Sequence, residues 1–162
     1  NGTVAQNKDG VADEAMNTAM TPDQYNGGYD ASKLISESPL NAANQAKDIE
    51  RGKLLYNQAC AACHGTGGDG QGPIVASGAY VGVPNFADRQ VTVGSVHYVI
   101  TNGRNAMGSY AGQLKPGDRW RVAMYVMNAF KGGMAPAAPA DAAPATDAAP
   151  AASASVTTSP IK

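Results

Sequence analysis

Apolar residues in this chain fall into three stretches with helical spacing, separated by polar or glycine-rich runs. Ile49, Gly52, Leu55, Tyr56 and Ala59 recur at steps of three and four, so Asp48 to Ala59 predicts a helix with one buried face. Gly52 has no Cβ, which lets a second helix approach closely there. Another helix is predicted from Val93 or Ser95 to Thr101, with Thr92 as N-cap and Gly103 as the stop. A third opens at Pro116, carries Asp118 in its first turn, and runs to about Lys131 before Gly132-Gly133. Proline loses no helical hydrogen bond at that position, and a carboxylate is favourable near a helix N-terminus. Trp120, Ala123, Met124, Met127 and Phe130 form the predicted buried stripe of this helix. Met124 and Met127 read as core, since methionine fills gaps well.

The remaining chain is patterned differently. Gly65 to Gly72 holds five glycines and no aliphatic side chain. It has neither the Lys-Ser/Thr ending nor the preceding strand of a phosphate loop, and is read as a wrapping loop. Ile74, Val75, Tyr80, Val81, Val83 and Phe86 supply an apolar wall around Gly78, Gly82 and Pro84. Residues 1–46 are polar, with Pro22, Gly27-Gly28 and Pro39 breaking any long helix; at most a turn or two is expected from Asp13 to Met20. Tyr25, Tyr29, Leu34, Ile35 and Leu40 give this segment apolar anchors, so it is read as an extended arm lying over the following domain or a partner subunit, with a disordered spacer as the alternative. Residues 134–162, beginning at Met134, are rich in alanine and proline and cannot bury enough apolar surface to order themselves. Three parts are therefore expected: an arm over 1–46, a domain over 47–133 and a low-complexity tail over 134–162.

Charge sharpens this division. The net charge of -1 conceals two lysines against six acids in residues 1–46, and nine Lys/Arg against five acids in residues 47–133. The basic residues form no run and accompany no nucleic-acid-binding motif, so nucleic acid is not an expected partner. A mildly basic face meeting an acidic protein partner is the better reading. No stretch is long and apolar enough to span a bilayer.

The chemistry concentrates in Cys60-Ala61-Ala62-Cys63-His64, which contains both cysteines of the chain. Cys-x-x-Cys-His is the attachment signature of c-type haem. Two thiols one helical turn apart can reach the two vinyl groups of one porphyrin, and the adjacent imidazole can point at the iron. A thiol–disulfide pair would want a surrounding βαβ pattern, which is missing. A zinc site would want four ligands, and only His64 and His97 are available to join the cysteines.

An electron-carrying haem needs an axial ligand on the second side of the iron. Met16 and Met20 lie in the polar leader. Met107 lies in Asn102-Gly103-Arg104-Asn105-Ala106-Met107-Gly108-Ser109-Tyr110, a loop of turn formers where a methionine has little packing reason to be. It is the first candidate, and His97 is the second. Asn85 and Arg89 are candidates for the haem propionates, with plain surface placement as the alternative. Tyr110 is expected beside the ligand or the haem edge.

Taken in order, Gly52-x-x-x-Tyr56, Cys60-x-x-Cys63-His64-Gly65, Gly68-x-Gly70-x-Gly72-Pro73, the Met107 loop and the aromatic last helix resemble a class I monohaem cytochrome c. Tyr29-Asp30-Ala31-Ser32, Pro39-Leu40, the run Gly94 to Arg104 and Met107 to Ala111 resemble, more narrowly, the monohaem cytochrome c subunit of bacterial alternative complex III. The resemblance covers roughly residues 25 to 133. The sequence departs from the small cytochromes in having Met107-Gly108 where they often have Met-Pro. The resemblance implies an all-α class I fold, with three or more helices around one covalent haem c, flanked by the arm and a disordered tail. Cys60, Cys63, His64, Pro73 and Met107 would bind the cofactor, with His64 and Met107 on the iron. It also implies that the Pro73 carbonyl accepts a hydrogen bond from the outer nitrogen of His64, and that Tyr125 or Trp120 crosses the first helix near Gly52 and Tyr56.

The function so implied is electron transfer rather than catalysis, as a subunit of a membrane quinol-oxidising complex. Its partners would be the other subunits, and a terminal oxidase or soluble redox carrier. The alternatives are a free or lipid-tethered shuttle, and a haem sensor or peroxidase with an open iron position. Haem attachment to this motif places the chain on the periplasmic side of a bacterial inner membrane, with a leader removed. Membrane association would come through partners or through a lipid on a cysteine preceding Asn1. A haem domain of about 90 residues is small for a core, so the chain without haem is expected to be largely unfolded.

Overall fold

The computed structural model describes residues 28–133, and the secondary structure there is helical apart from one isolated bridge between Arg104 and Met107. The expected turn near Asp13 to Met20, the Tyr25 anchor and the Ala/Pro-rich tail lie outside the described residues. Six helices follow in order: α1 (Gly28–Ser32), α2 (Gln45–Ala59), α3 (Ala61–His64), α4 (Pro73–Ala76), α5 (Val93–Asn102) and α6 (Pro116–Phe130). A 3-10 turn over Ala42–Asn44, capped by the Asn41 side chain, leads into α2.

Helices α2 and α6 form the principal contact, and Gly52 is where they cross. A Cβ built on Gly52 would run into the backbone carbonyl of Arg121 and stand 3.0 Å from the Tyr125 Cβ. The expected aromatic crossing is therefore made by Tyr125, whose ring lies 5.3 Å from that of Tyr56. Charges fasten the same seam. Arg121 Nε donates to Asp48 at 2.7 Å, and Arg51 donates through Nε and Nη2 to both carboxylate oxygens of Asp118 at 2.8 Å each. Arg121 Nη1 also donates to Asp118 at 3.0 Å, and the bonds from Arg51 first, then Arg121, hold the Asp118 carboxyl below the usual carboxylate range.

Helix α6 is buried more broadly than a single stripe. Val122, Ala123, Met124, Tyr125 and Val126 are all buried, whereas Met127 and Phe130 are only partly so. The helix has α2 on one side and α5 on another, so no single face has to serve as the core. Helix α5 begins and ends at the expected residues. Thr92 Oγ1 accepts from the Ser95 N–H, the Ser95 hydroxyl reciprocates at the Thr92 backbone, and Gly103 closes the helix. Each shared bond satisfies an N–H that the first helical turn would otherwise leave open.

The segment before α2 packs onto α5. Gly94 N–H donates to the Ile35 carbonyl at 3.0 Å, and Thr92 Oγ1 donates to the Ser32 carbonyl at 3.3 Å. Over Gly28–Ser32 this segment is helical rather than extended, and the Ser32 hydroxyl bonds back to the Tyr29 carbonyl at 2.6 Å. Leu40 is buried and Ile35 packs on the core, but Leu34 is 76% exposed among the described residues.

Candidate functional site

Helix α2 ends at Cys60, whose N–H still donates to the Tyr56 carbonyl at 2.8 Å. The Cys60 carbonyl then accepts from Cys63 at 3.1 Å and His64 at 2.9 Å, which winds the motif into the single turn of α3. Both thiols are half-buried and unbridged. Burial, reinforced by the neighbouring Cys63, pushes the Cys60 thiol up to about 12.

The glycine loop that follows is tied back to this turn. Gly70 N–H donates to the His64 carbonyl at 2.9 Å and Gly72 N–H to the Cys63 carbonyl at 3.0 Å. The buried Tyr56 hydroxyl donates to the Gly65 carbonyl at 2.8 Å. Its burial also raises its pKa, so it remains a donor. Tyr56 thus joins the α2–α6 seam to the loop, a role that the helical pattern alone did not assign.

These elements enclose a cavity of about 420 Å³. That is within the roughly 300–1,000 Å³ typical of small-molecule and cofactor pockets. Cys60, Cys63, His64 and Met107 all line it, with an apolar wall that includes Val96, Ile100, Val122 and Val126. The wall residues from α6 were not foreseen, because their spacing looks the same as that of core positions. Ile74, Tyr80, Val81 and Val83 also line it, as expected for the apolar wall, although Val81 is 84% exposed.

The residues present fit a covalent haem. Two thiols and an imidazole share the cavity, and His64 Nδ1 is buried with no hydrogen-bond partner. Burial lowers the pKa of His64, which keeps its ring neutral and able to offer a lone pair. The ring stacks on Phe86 at 4.9 Å and 16°, and Phe86 stacks on Phe130 at 5.7 Å and 7°. The expected bond from His64 to Pro73 is not made, and Pro73 does not line the cavity. The Pro73 carbonyl accepts from the Ser77 N–H at 3.0 Å, closing α4, which Pro73 opens.

The two candidates for the second axial position separate clearly. His97 is 4% exposed, does not line the cavity, and stacks on Trp120 at 3.8 Å and 8°. Met107 lines the cavity from a tight turn. Arg104 N–H donates to the Met107 carbonyl at 2.9 Å, and Met107 N–H returns a bond to Arg104 at 3.0 Å. Asn105 takes φ +52° inside this turn, a conformation that Asn tolerates better than most side chains. Ser109 Oγ donates to the Thr101 carbonyl at 2.5 Å and Tyr110 N–H to Ile100 at 2.8 Å, so the loop is held on both sides of Gly108. Tyr110 lines the cavity, and its hydroxyl reaches the Ala59 carbonyl at 3.4 Å.

Arg89 and Arg104 bring positive charge to the lining. Asn85 does not line it and turns its side chain to the Ala87 N–H at 2.9 Å. Tyr29, from α1, lines the cavity as well. No local signal distinguished it from its neighbours, because its placement depends on how α1 packs on α5. Among the described residues no group of three His, Cys, Asp or Glu comes together to hold a metal ion, and no helix is long and apolar enough to cross a membrane.

Residues of the described domain are similar in sequence to known proteins. Residues 47–126 match the family described as cytochrome c oxidase, cbb3-type, subunit III. A cytochrome c6 from Bumilleriopsis filiformis is 33% identical over 81 residues, covering 50% of this chain and 91% of that protein. A cytochrome c6 from Leptolyngbya boryana is 32% identical over 81 residues, covering 50% of this chain and 92% of its own length. Among solved structures, a chain of the Kuenenia stuttgartiensis reducing HAO-like protein complex aligns with a TM-score of 0.45. It is 25% identical and covers 58% of this chain and 46% of that one.

Proposed function

The chain belongs to the class I monohaem c-type cytochromes, an all-helical family of electron carriers with one covalently attached haem c, and from that premise we propose which residues hold the haem and where the electrons go. Cys60 and Cys63 carry the porphyrin through thioethers. His64 and Met107 would bind its iron. One observation carries this assignment: Met107, and not His97, lines the cavity that Cys60, Cys63 and His64 share. When bound, the haem supplies a reversible one-electron centre. The protein's own residues hold the group, keep its surroundings apolar and close both axial positions, which leaves no place for a substrate. Arg89 and Arg104 are the residues that would meet the propionates. Pro73 acts on the site only through the start of α4.

Met107→Ala tests the ligand assignment. The oxidised variant should lose the red absorption band of methionine–iron ligation, whereas His97→Phe should keep it. A band that survives Met107→Ala removes Met107 from the iron.

The narrower reading is a subunit of a quinol-oxidising membrane complex of the alternative complex III type. It would pass electrons from other haems of that complex to a terminal oxidase or a soluble carrier, on the periplasmic side of a bacterial inner membrane. Its support is the segment before residue 47, which packs beside the haem cavity although the family match begins only at residue 47. Membrane association would come through the partner subunits or an N-terminal lipid. A second reading, a free or lipid-tethered shuttle, is favoured by how nearly the matched core accounts for the whole of the cytochrome c6 relatives. Sedimentation of detergent-solubilised native membranes separates the two. Comigration with other respiratory subunits supports the complex, and a haem signal sedimenting as this chain alone supports the shuttle.

A further inference from the structure

Helix α1 lies outside the residues that match the family, yet its Tyr29 reaches the haem cavity. The Arg104 guanidinium carbon lies 3.6 Å from the centroid of the Tyr29 ring, within the range of a cation–π contact. The same ring packs edge-on to Tyr98 of α5 at 6.0 Å. Lys33 Nζ lies 4.8 Å from its centroid, but that ammonium is also engaged by Asp30 at 2.8 Å.

Arg104 is not an isolated surface residue. Its backbone N–H and carbonyl are the two groups that bond Met107. Any force that holds the Arg104 side chain therefore acts on the turn presenting Met107. Helix α1 is itself fixed to α5 through Gly94, where an added Cβ would run into the Ser32 carbonyl at the end of α1 and the Ile35 Cβ just beyond it. A continuous set of contacts runs from Gly94 through α1 and Tyr29 to Arg104 and Met107.

We propose that Tyr29 is a positioning residue for the sixth ligand: by stacking on Arg104 it holds the Met107 turn closed over the iron. This rests on Met107 being the axial ligand, and adds that residues outside the family core set how readily that ligand lets go. An exogenous ligand binds the iron only when the turn opens, so its apparent affinity scales with the population of the open turn. Loss of one cation–π contact at an exposed guanidinium raises that population about two- to fivefold.

The experiment uses the full-length oxidised holoprotein and titrates it with imidazole. Tyr29→Leu keeps an apolar side chain against Tyr98 and removes the aromatic face; Tyr29→Phe keeps both. Imidazole should bind about two- to fivefold more tightly to Tyr29→Leu than to the natural chain, and to Tyr29→Phe as it does to the natural chain. Combining Tyr29→Leu with Arg104→Leu should add little beyond Arg104→Leu alone, because the ring's contact is already lost with the guanidinium. An unchanged imidazole affinity in Tyr29→Leu, even with a lower melting temperature, makes the arm merely structural and overturns the proposal. Met107→Ala serves as the reference. If it too binds imidazole no better than the natural chain, the ligand assignment fails and the positioning role falls with it. If it binds far better while Tyr29→Leu does not, only the positioning role fails.

Discussion

His97 is a histidine whose place in the packing governs its chemistry. It is 4% exposed and lies against Trp120, and burial together with the Arg119 charge pushes it down to about 3 from its ordinary 6.5. Between those values the unfolded chain binds a proton that the native ring does not. Native stability is therefore highest above pH 6.5 and falls as pH drops toward 3, by about 1.4 kcal/mol per pH unit at its steepest. Urea unfolding of the holoprotein at pH 7, 6, 5 and 4 should show this decline. His97→Phe, which keeps a ring against Trp120, should flatten it. An equally steep decline in the variant would place the acid sensitivity elsewhere, for instance in the carboxylates paired with Arg51 and Arg121. The helical spacing around His97 identified it as a residue of α5 but could not separate a buried stacking ring from an iron ligand. Both uses want the same residue on the same helix, and only the direction in which it packs distinguishes them.

At the scale of elements, the seam between α2 and α6 positions everything else. It sets the end of α2, where Cys60 begins the haem turn, and the Tyr56 hydroxyl that grips the loop after His64. Gly52 makes the approach possible, since a Cβ there would overlap the Arg121 backbone and not a movable side-chain tip. Gly52→Ala should therefore cost about 2 kcal/mol or more, as over-packing does when the neighbour cannot yield. A guanidinium chloride titration of the holoprotein would read this as a lower midpoint. A stability within about 0.5 kcal/mol of the natural chain would mean the helices separate there without strain. The glycine and the aromatic residues of this seam were legible in the sequence. Its charges were not, because Asp48, Asp118 and Arg121 look like solvated helix positions until the two helices are brought face to face.

For the whole molecule, the haem cavity is large relative to what surrounds it. Without the haem, the apolar wall of this cleft of about 420 Å³, including Val96, Ile100, Val122 and Val126, would face water, which removes the driving force that packs α5 and α6 around it. The fold and the cofactor are therefore one stability unit. A Cys60→Ser/Cys63→Ser chain without haem should show no cooperative melt and little near-ultraviolet circular dichroism. A sharp, native-like transition in that chain would contradict the coupling. The described part of the arm belongs to the same body, because it is bonded to α5 through Gly94 and Thr92.

The haem motif, three main helices, the ends of α5 and the loop position of Met107 follow from residue order alone. Each depends on neighbours a few positions apart: the cysteine spacing, a cap beside its helix, an apolar period, a run of turn formers. Tertiary structure brought Met107 and not His97 to the cavity of Cys60, Cys63 and His64, left His64 unbonded to Pro73, paired Asp48 with Arg121, and brought Tyr29 onto Arg104. In each of these, the partners' chemistry was visible beforehand. Their proximity was created only when separate helices packed, and local periodicity carries no information about which distant face will be met.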